Sequence, residues 1–167
     1  MIGRTVLLAG IVAAFSFAPA PQASATSQTG CAEAANKEVI VAAFDKWAAG
    51  GTTFFQDVLH DDVVWTIEGS GPSAGEFRGL NVFIDKAVRP FVTRLKTPVR
   101  PRNVQVWADG RHVMVTWKGD AVARDGRDYR NSYAWVFRMR DGKAEAVNAF
   151  LDLAPYDDVL RRVKAPE

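Results

Sequence analysis

Trp117 to Leu153 read W-K-G-D-A-V-A-R-D-G-R-D-Y-R-N-S-Y-A-W-V-F-R-M-R-D-G-K-A-E-A-V-N-A-F-L-D-L. Two Asp-Gly pairs, Asp125-Gly126 and Asp141-Gly142, separate three runs rich in aromatic and β-branched residues. That is the pattern of an antiparallel meander. An Asp-Gly hairpin closes with two loop residues, or with three and a glycine bulge, and a one-residue slip exchanges the faces of the sheet. Three-residue loops, Arg124-Asp125-Gly126 and Arg140-Asp141-Gly142, are preferred. They gather Val113, Val115, Trp117, Tyr133, Trp135, Phe137, Val147, Ala149 and Leu151 on one face. On the other face they set Asp120, Arg130 and Asp152 in a row of alternating charge, favourable by about 0.2–1 kcal/mol per neighbour pair. Two-residue loops would instead bring Asp120 and Asp152 into one row with no cation between them.

The flanking chain reads as a cover for the apolar face. Asn36 can cap a helix running to Gly50, with Ile40, Phe44 and Trp47 at helical spacing and Gly50-Gly51 as its stop. Thr52 to Leu59 reads as a second short helix, and Val63 to Ile67 as a strand. Glu68 to Gly79 reads as a Gly/Pro/Ser loop with little regular structure. A third helix, Leu80 to Leu95, carries Pro90, which should kink it or end its regular part. Strands from Pro98 to Trp107 and His112 to Ala123 precede the rest of the meander, and Pro155 to Val163 forms a short terminal helix. Helices segregated from an antiparallel-rich sheet make the fold class α+β. The sheet is expected to curve into a cone, with the N-terminal helices on its concave face.

Residues 1–25 read as a signal peptide: Arg4, an apolar run from Thr5 to Ala18, and an Ala23-Ser24-Ala25 cleavage site. The expected destination is secreted or periplasmic, with residues 26–35 a flexible lead-in and 36–167 one domain. Removing the leader takes one arginine and no acid, leaving 20 basic residues against 19 acidic ones. That near-balance, with scattered basic residues, points away from nucleic acid and anionic membrane surfaces. Cys31 is the sole cysteine, so no intrachain disulfide forms, and a lipid-anchored reading lacks an apolar residue three positions before it. His60 and His112 have no metal-ligand spacing, and neither a metal nor a cofactor is expected.

Four local patterns together resemble the nuclear transport factor 2-like superfamily, in its SnoaL-like and ketosteroid-isomerase-like branch. They are the first helix ending at Gly50-Gly51, H-D-D-V-V-W-T-I-E-G from His60, G-E-F-R-G from Gly75 to Gly79, and Y-R-N-S-Y-A-W-V-F-R-M-R-D-G-K with A-F-L-D from Tyr129 to Asp152. The resemblance covers nearly all of the chain after the leader. It implies the cone fold, a pocket on the concave face, and a homodimer contact through the outer face, where Met114, Val136 and Phe150 would lie.

The resemblance does not carry an activity over. Ketosteroid isomerases use a tyrosine on the first helix, an acid on the fifth strand and a carboxylate on the first. The corresponding positions here are Phe44 or Ala43, Trp135 and Ile67. Cyclases of the branch place an aspartate where Ala149 stands. The Arg-x-Asp of the epoxide hydrolases is approached by Lys118-Gly119-Asp120, but lysine lacks the bidentate fork. Asp152 matches the strand-end aspartate common in the family and falls on the opposite face, which suggests a structural role. The expected pocket residues are therefore Phe44, Trp47, Trp65, Ile67, Trp117, Asn131, Tyr133, Trp135, Ala149 and Leu151, suited to a small hydrophobic molecule. Catalysis would need an acid or base from the rim, with Glu68, Asp152, His60 and Asp62 as candidates. A hydrophobic-ligand binding protein is the favoured reading. The alternative is an acid–base enzyme of isomerase, cyclase, dehydratase or epoxide-hydrolase type.

Overall fold

Three-residue closure holds at the first Asp-Gly pair and fails at the second. In this computed structural model, which describes residues 24–165, the Ala123 N–H donates to the Arg127 carbonyl at 2.9 Å, and Gly126 takes φ 86°. At the second pair Arg140 stands opposite Lys143, and Asp141 and Gly142 have φ of 50° and 76°. Two consecutive positive φ angles make a two-residue type I′ turn. Glu145 is then bulged out between Ala144, opposite Met139, and Ala146, opposite Arg138. The bulge is held by cations: Glu145 Oε1 lies 2.8 Å from Arg138 Nε, and Oε2 lies 3.2 Å from Arg140 Nη1.

A tight turn plus one bulged residue restores the face parity that the turn alone would invert. The expected grouping is therefore present. Trp117 pairs with Tyr133, which pairs with Leu151, and Val115 pairs with Trp135, which pairs with Ala149. The charge row is only half present. Asp120 stands opposite Arg130, but the shifted register takes Asp152 out of line. Asp120 pairs instead with Arg102 on the neighbouring strand, and Arg130 with Asp128.

The elements run α1 (Ser24–Ala48), α2 (Phe54–Val58), β1 (Leu59–Ile67), β2 (Gly75–Arg78), α3 (Leu80–Phe83), a π-helical turn (Ile84–Val88), α4 (Arg89–Val92), β3 (Arg100–Asp109), β4 (His112–Val122), β5 (Asp128–Arg140), β6 (Lys143–Leu151) and α5 (Leu153–Arg162). The six strands form one curved, unclosed sheet in the order β2-β1-β6-β5-β4-β3, with β1 parallel to β6 and the other pairs antiparallel. α1 packs across β3 and β4 and against α2. This is the α+β cone that the sequence led us to expect.

Three local expectations are corrected. Residues 26–35 lie within α1, and Asn36 does not cap it. Its side chain reaches the Gly110 carbonyl at 3.3 Å while Glu33 accepts from the Gly110 N–H at 2.9 Å, so the helix is docked on the β3–β4 hairpin tip around Glu33 and Asn36. Gly75 to Arg78, read as loop, form edge strand β2, a segment with mostly exposed side chains and therefore no alternation to detect. The terminal helix begins at Leu153, because Asp152 is its N-cap and accepts from Ala154 N at 3.0 Å. Pro90 acts as expected, since the helix that contains it opens into a π turn just ahead of it.

Residues 1–23 of the expected signal peptide lie outside the described residues, and Ser24 and Ala25 begin α1. Among the described residues no helix is long and apolar enough to cross a membrane.

Candidate functional site

The concave face of the sheet and the helices over it do not meet everywhere. Between them lies a cavity of about 490 Å³, walled by β1, β4, β5 and β6 on one side and by α1, α2 and the α3–α4 helix on the other. Its floor is a cross-strand row, Ile67 beside Ala149 and Ala149 beside Trp135. Ile67, Trp135 and Ala149 are the positions where the resemblance would have put polar groups. Here they make a continuous apolar surface.

Aromatic rings supply most of the rest. Trp117 stacks on Tyr133 at 3.8 Å between ring centroids and 6° between planes. Trp65 stacks on Phe83 at 4.2 Å, and Trp135 meets Trp117 and Trp65 edge-on at 4.9 and 5.1 Å. Such pairs add about 0.5–1.5 kcal/mol each beyond area burial and keep the rings in one orientation. Gly119 is needed for the stack, because a β-carbon there would lie 2.8 Å from Trp117 Cζ3 and 3.0 Å from Tyr133 Cε2. In this setting Lys118-Gly119-Asp120 is a packing and surface-pairing segment: Lys118 is exposed and Asp120 is held by Arg102.

Of the expected pocket residues, Trp47, Trp65, Ile67, Trp117, Tyr133, Trp135, Ala149 and Leu151 line the cavity. Phe44 and Asn131 do not. Phe44 is 1% exposed and is packed among Trp47, Phe54, Trp117 and Trp135, tying α1 to the sheet. Asn131 is buried and saturated. Its Nδ2 donates to Tyr129 Oη at 2.9 Å and to the Asp152 carbonyl at 2.8 Å, while its Oδ1 accepts from Ser132 N at 2.8 Å and Asp152 N at 3.1 Å. It clamps the end of β6 and the start of α5 onto β5. Sequence reasoning missed the wall formed by Phe83, Ile84, Ala87, Val88 and Phe91. Ile84, Val88 and Phe91 fall at helical spacing, which equally fits plain core.

The rim candidates for proton transfer all point elsewhere. Glu68 accepts from Asn148 Nδ2 at 2.6 Å on the outer face of the sheet. His60 Nδ1 lies 3.4 Å from Asp62, which also binds Arg140 at 3.0 Å. The Arg140 guanidinium holds the Asp62 carboxyl below its usual range. Asp152 is exposed and engaged as the helix cap. No Asp, Glu, His or Cys among the described residues lines the cavity.

Away from the mouth, the polar groups of the lining include the Trp117 indole N–H, which has no partner among the described residues, and the phenols of Tyr133 and Tyr156. Tyr129 and Tyr133 share a hydrogen bond of 2.6 Å, and Tyr156 donates to the Ala87 carbonyl at 3.1 Å in the π turn. Burial pushes the Tyr129 hydroxyl up to about 12, partly offset by its bonds to Tyr133 and Asn131. Burial first, and then the neighbouring Tyr129, raise Tyr133 well above 10, and burial likewise raises Tyr156. These hydroxyls are donors and acceptors at neutral pH, not bases.

A pH dependence follows from the same shifts. Each tyrosine is held neutral in the fold and ionises more easily once unfolded. Their contribution to stability is therefore complete below pH 10, the ordinary value, and is lost as the pH rises from there through 12. Tyr129, Tyr133 and Tyr156 are the three tyrosines of the chain. Phenolate absorbance at 295 nm should accordingly appear together with loss of the near-ultraviolet circular dichroism signal. A smooth phenolate titration centred on pH 10 with the fold intact would contradict this picture.

Residues 40–147 match the family model described as the SnoaL-like domain. A nuclear transport factor 2-like protein from Burkholderia xenovorans LB400 superposes with a TM-score of 0.59 at 16% identity, over 77% of this chain and 97% of its own. A candidate SnoaL-like polyketide cyclase from Jannaschia sp. CCS1 gives 0.56 at 20% identity, over 81% and 96%. A candidate isomerase from Bacillus subtilis gives 0.63 at 12% identity, over 80% and 99%. At these identities the structural likeness speaks to fold alone. A search of curated proteins finds no match.

Proposed function

The chain belongs to the SnoaL-like domain family, and on that premise we propose that it is a binding protein whose cavity takes a small, flat, hydrophobic molecule without acid–base turnover. The observation that carries the reading is the lining itself, an aromatic box on an apolar floor with no carboxylate, imidazole or thiol among the described residues. A general base must reach its proton directly or through one water, and the phenols present are held protonated. Two proteins of similar structure are described as a candidate isomerase and a candidate polyketide cyclase. Such activity would here have to run on Lys96 or a phenol, since the lining supplies no carboxylate, imidazole or thiol among the described residues.

Tryptophan fluorescence tests the proposal. Trp47, Trp65, Trp117 and Trp135 line the cavity, and the fifth tryptophan, Trp107, lies on the outer face. Terpenoid, steroid and aromatic polyketide-like molecules should quench or shift the emission saturably. Ala149→Phe, which fills the floor, should weaken that binding about tenfold or more, because a well-packed site resists added volume. A panel that leaves the wild-type emission unchanged would sink the reading.

The outer face supports a further proposal, that a second copy of this chain covers it. Trp107, Met114 and Phe150 are 46%, 42% and 48% exposed, and Trp107, Met114 and Val136 run side by side across β3, β4 and β5. Grouped apolar side chains on a sheet face are a common mark of an interface. Sedimentation equilibrium should report a dimer for the wild type and a monomer for Met114→Glu. A wild-type monomer at micromolar concentration would remove the proposal.

A further inference from the structure

The lining residues that reach solvent are Thr52, Gln56, Val92, Lys96 and Pro98, and they mark the mouth of the cavity. Charge there is of one sign. Lys96 and Arg100 belong to the lining, and no acid does among the described residues. Asp57, the nearest acid in sequence to the α2 side of the mouth, is committed to Lys46 at 2.6 Å and Thr53 at 2.8 Å. The Lys46 ammonium and the Thr53 hydroxyl keep its carboxyl below the usual range.

The two cations differ in how they are held. Arg100 is fixed on the C-terminal end of α1, its Nη1 donating to the Trp47 and Gly51 carbonyls at 2.9 and 3.0 Å and its Nη2 to Gly50 at 3.3 Å. Those bonds use three of the five guanidinium hydrogens and leave the Nε–H among those unspent. The helix end only partly offsets the charge. Lys96 is exposed and has no hydrogen-bond or ion-pair partner among the described residues. Its backbone is anchored, since the Lys96 N–H donates to the Val122 carbonyl at 2.7 Å. The side chain thus springs from a fixed point at the rim of an apolar box, and its ammonium has no anionic partner among the described residues.

Resting on the pocket reading above, we infer that the guest is amphipathic, with a flat apolar body in the aromatic box and an acidic group, a carboxylate or acidic enolate, held at the mouth by Lys96, with Arg100 the second cation of the lining. The box excludes charge and the mouth collects it. A neutral hydrocarbon of the same shape uses the first feature and not the second.

Anthracene-9-carboxylic acid and its methyl ester separate the two parts, read by tryptophan quenching at low ionic strength. The acid should bind about five- to tenfold more tightly than the ester, the range expected for a charge-assisted bond at a partly exposed site. The advantage should shrink as salt is raised. Lys96→Gln should bring the acid close to the ester, and Lys96→Glu should invert the order, while ester affinity stays constant and reports an intact box. Arg100 is left in place, because its loss would strand three carbonyls at the end of α1. Equal binding of acid and ester by the wild type would overturn the inference and leave the pocket reading standing. So would an acid preference that survives Lys96→Gln and Lys96→Glu unchanged. Failure of both probes to bind would count against the pocket itself, and the inference would fall with it.

Discussion

Phe44→Ala is expected to lower the unfolding free energy by about 3–5 kcal/mol, the cost of removing a fully packed phenylalanine ring from a core. Phe44 is 1% exposed and touches rings from α1, α2, β4 and β5: Trp47, Phe54, Trp117 and Trp135, with centroids 4.9–6.0 Å away. Removing it takes away one of the two rings, with Trp47, through which α1 packs on the indoles of the sheet, and leaves a gap among bulky neighbours. Chemical denaturation should show the midpoint falling with little change in slope. Phe44→Leu keeps most of the apolar volume and should lose less. The same pair of variants separates packing from ligand contact. If Phe44 touched the guest, Phe44→Leu would change affinity in the fluorescence assay while leaving stability nearly intact. The opposite pattern is expected.

Asn131→Ala is expected to cost about 2–4 kcal/mol. Each of its four hydrogen bonds contributes about 0.5–1.5 kcal/mol net, and truncation leaves the Asp152 amide and carbonyl and the Tyr129 hydroxyl short of a partner. The damage should be local at first. α5 is attached through Asp152, the stacked pair Phe91–Tyr156 at 4.2 Å, and the Tyr156–Ala87 bond. Hydrogen exchange should therefore show the α5 amides losing protection ahead of the central strands. Uniform loss of protection across the sheet, or an unchanged melting temperature, would mean that the amide is not the clamp described here.

Both residues show how far a sequence of this kind can be read. Phe44 and Asn131 were expected to face a guest, because helical spacing and strand alternation put them on the concave side. They are on that side. Alternation assigns a face, however, and cannot tell whether the space in front of a side chain is empty or filled. Phe44 is covered by its own aromatic neighbours, and Asn131 by the first residue beyond β6.

The second Asp-Gly hairpin teaches a related lesson. The loop length was misjudged and the faces were nonetheless right, because the bulge at Glu145 added the residue that the tight turn had removed. Only the chain's three-dimensional arrangement brings Arg138 and Arg140 onto that carboxylate, so the bulge had no local signature. β2 was missed for a similar reason. Its pairing with β1 is a property of two segments, and its own residues alternate too weakly to announce it.

Read alone, the sequence determined the order of the helices and of every strand but β2, the family, which side chains share the concave face, and the absence of polar residues at Ile67, Trp135 and Ala149. These are properties of periodicity and identity, carried by each segment without its partners. The tertiary structure decided that a gap is left between the helical layer and the sheet, that Glu68, His60 and Asp152 turn away from it, and that an exposed Lys96 and a half-buried Arg100 belong to its lining. Those facts depend on how the volumes of side chains distant in sequence fill or fail to fill the same space, and on which carboxylates the surrounding cations and backbone amides have already engaged.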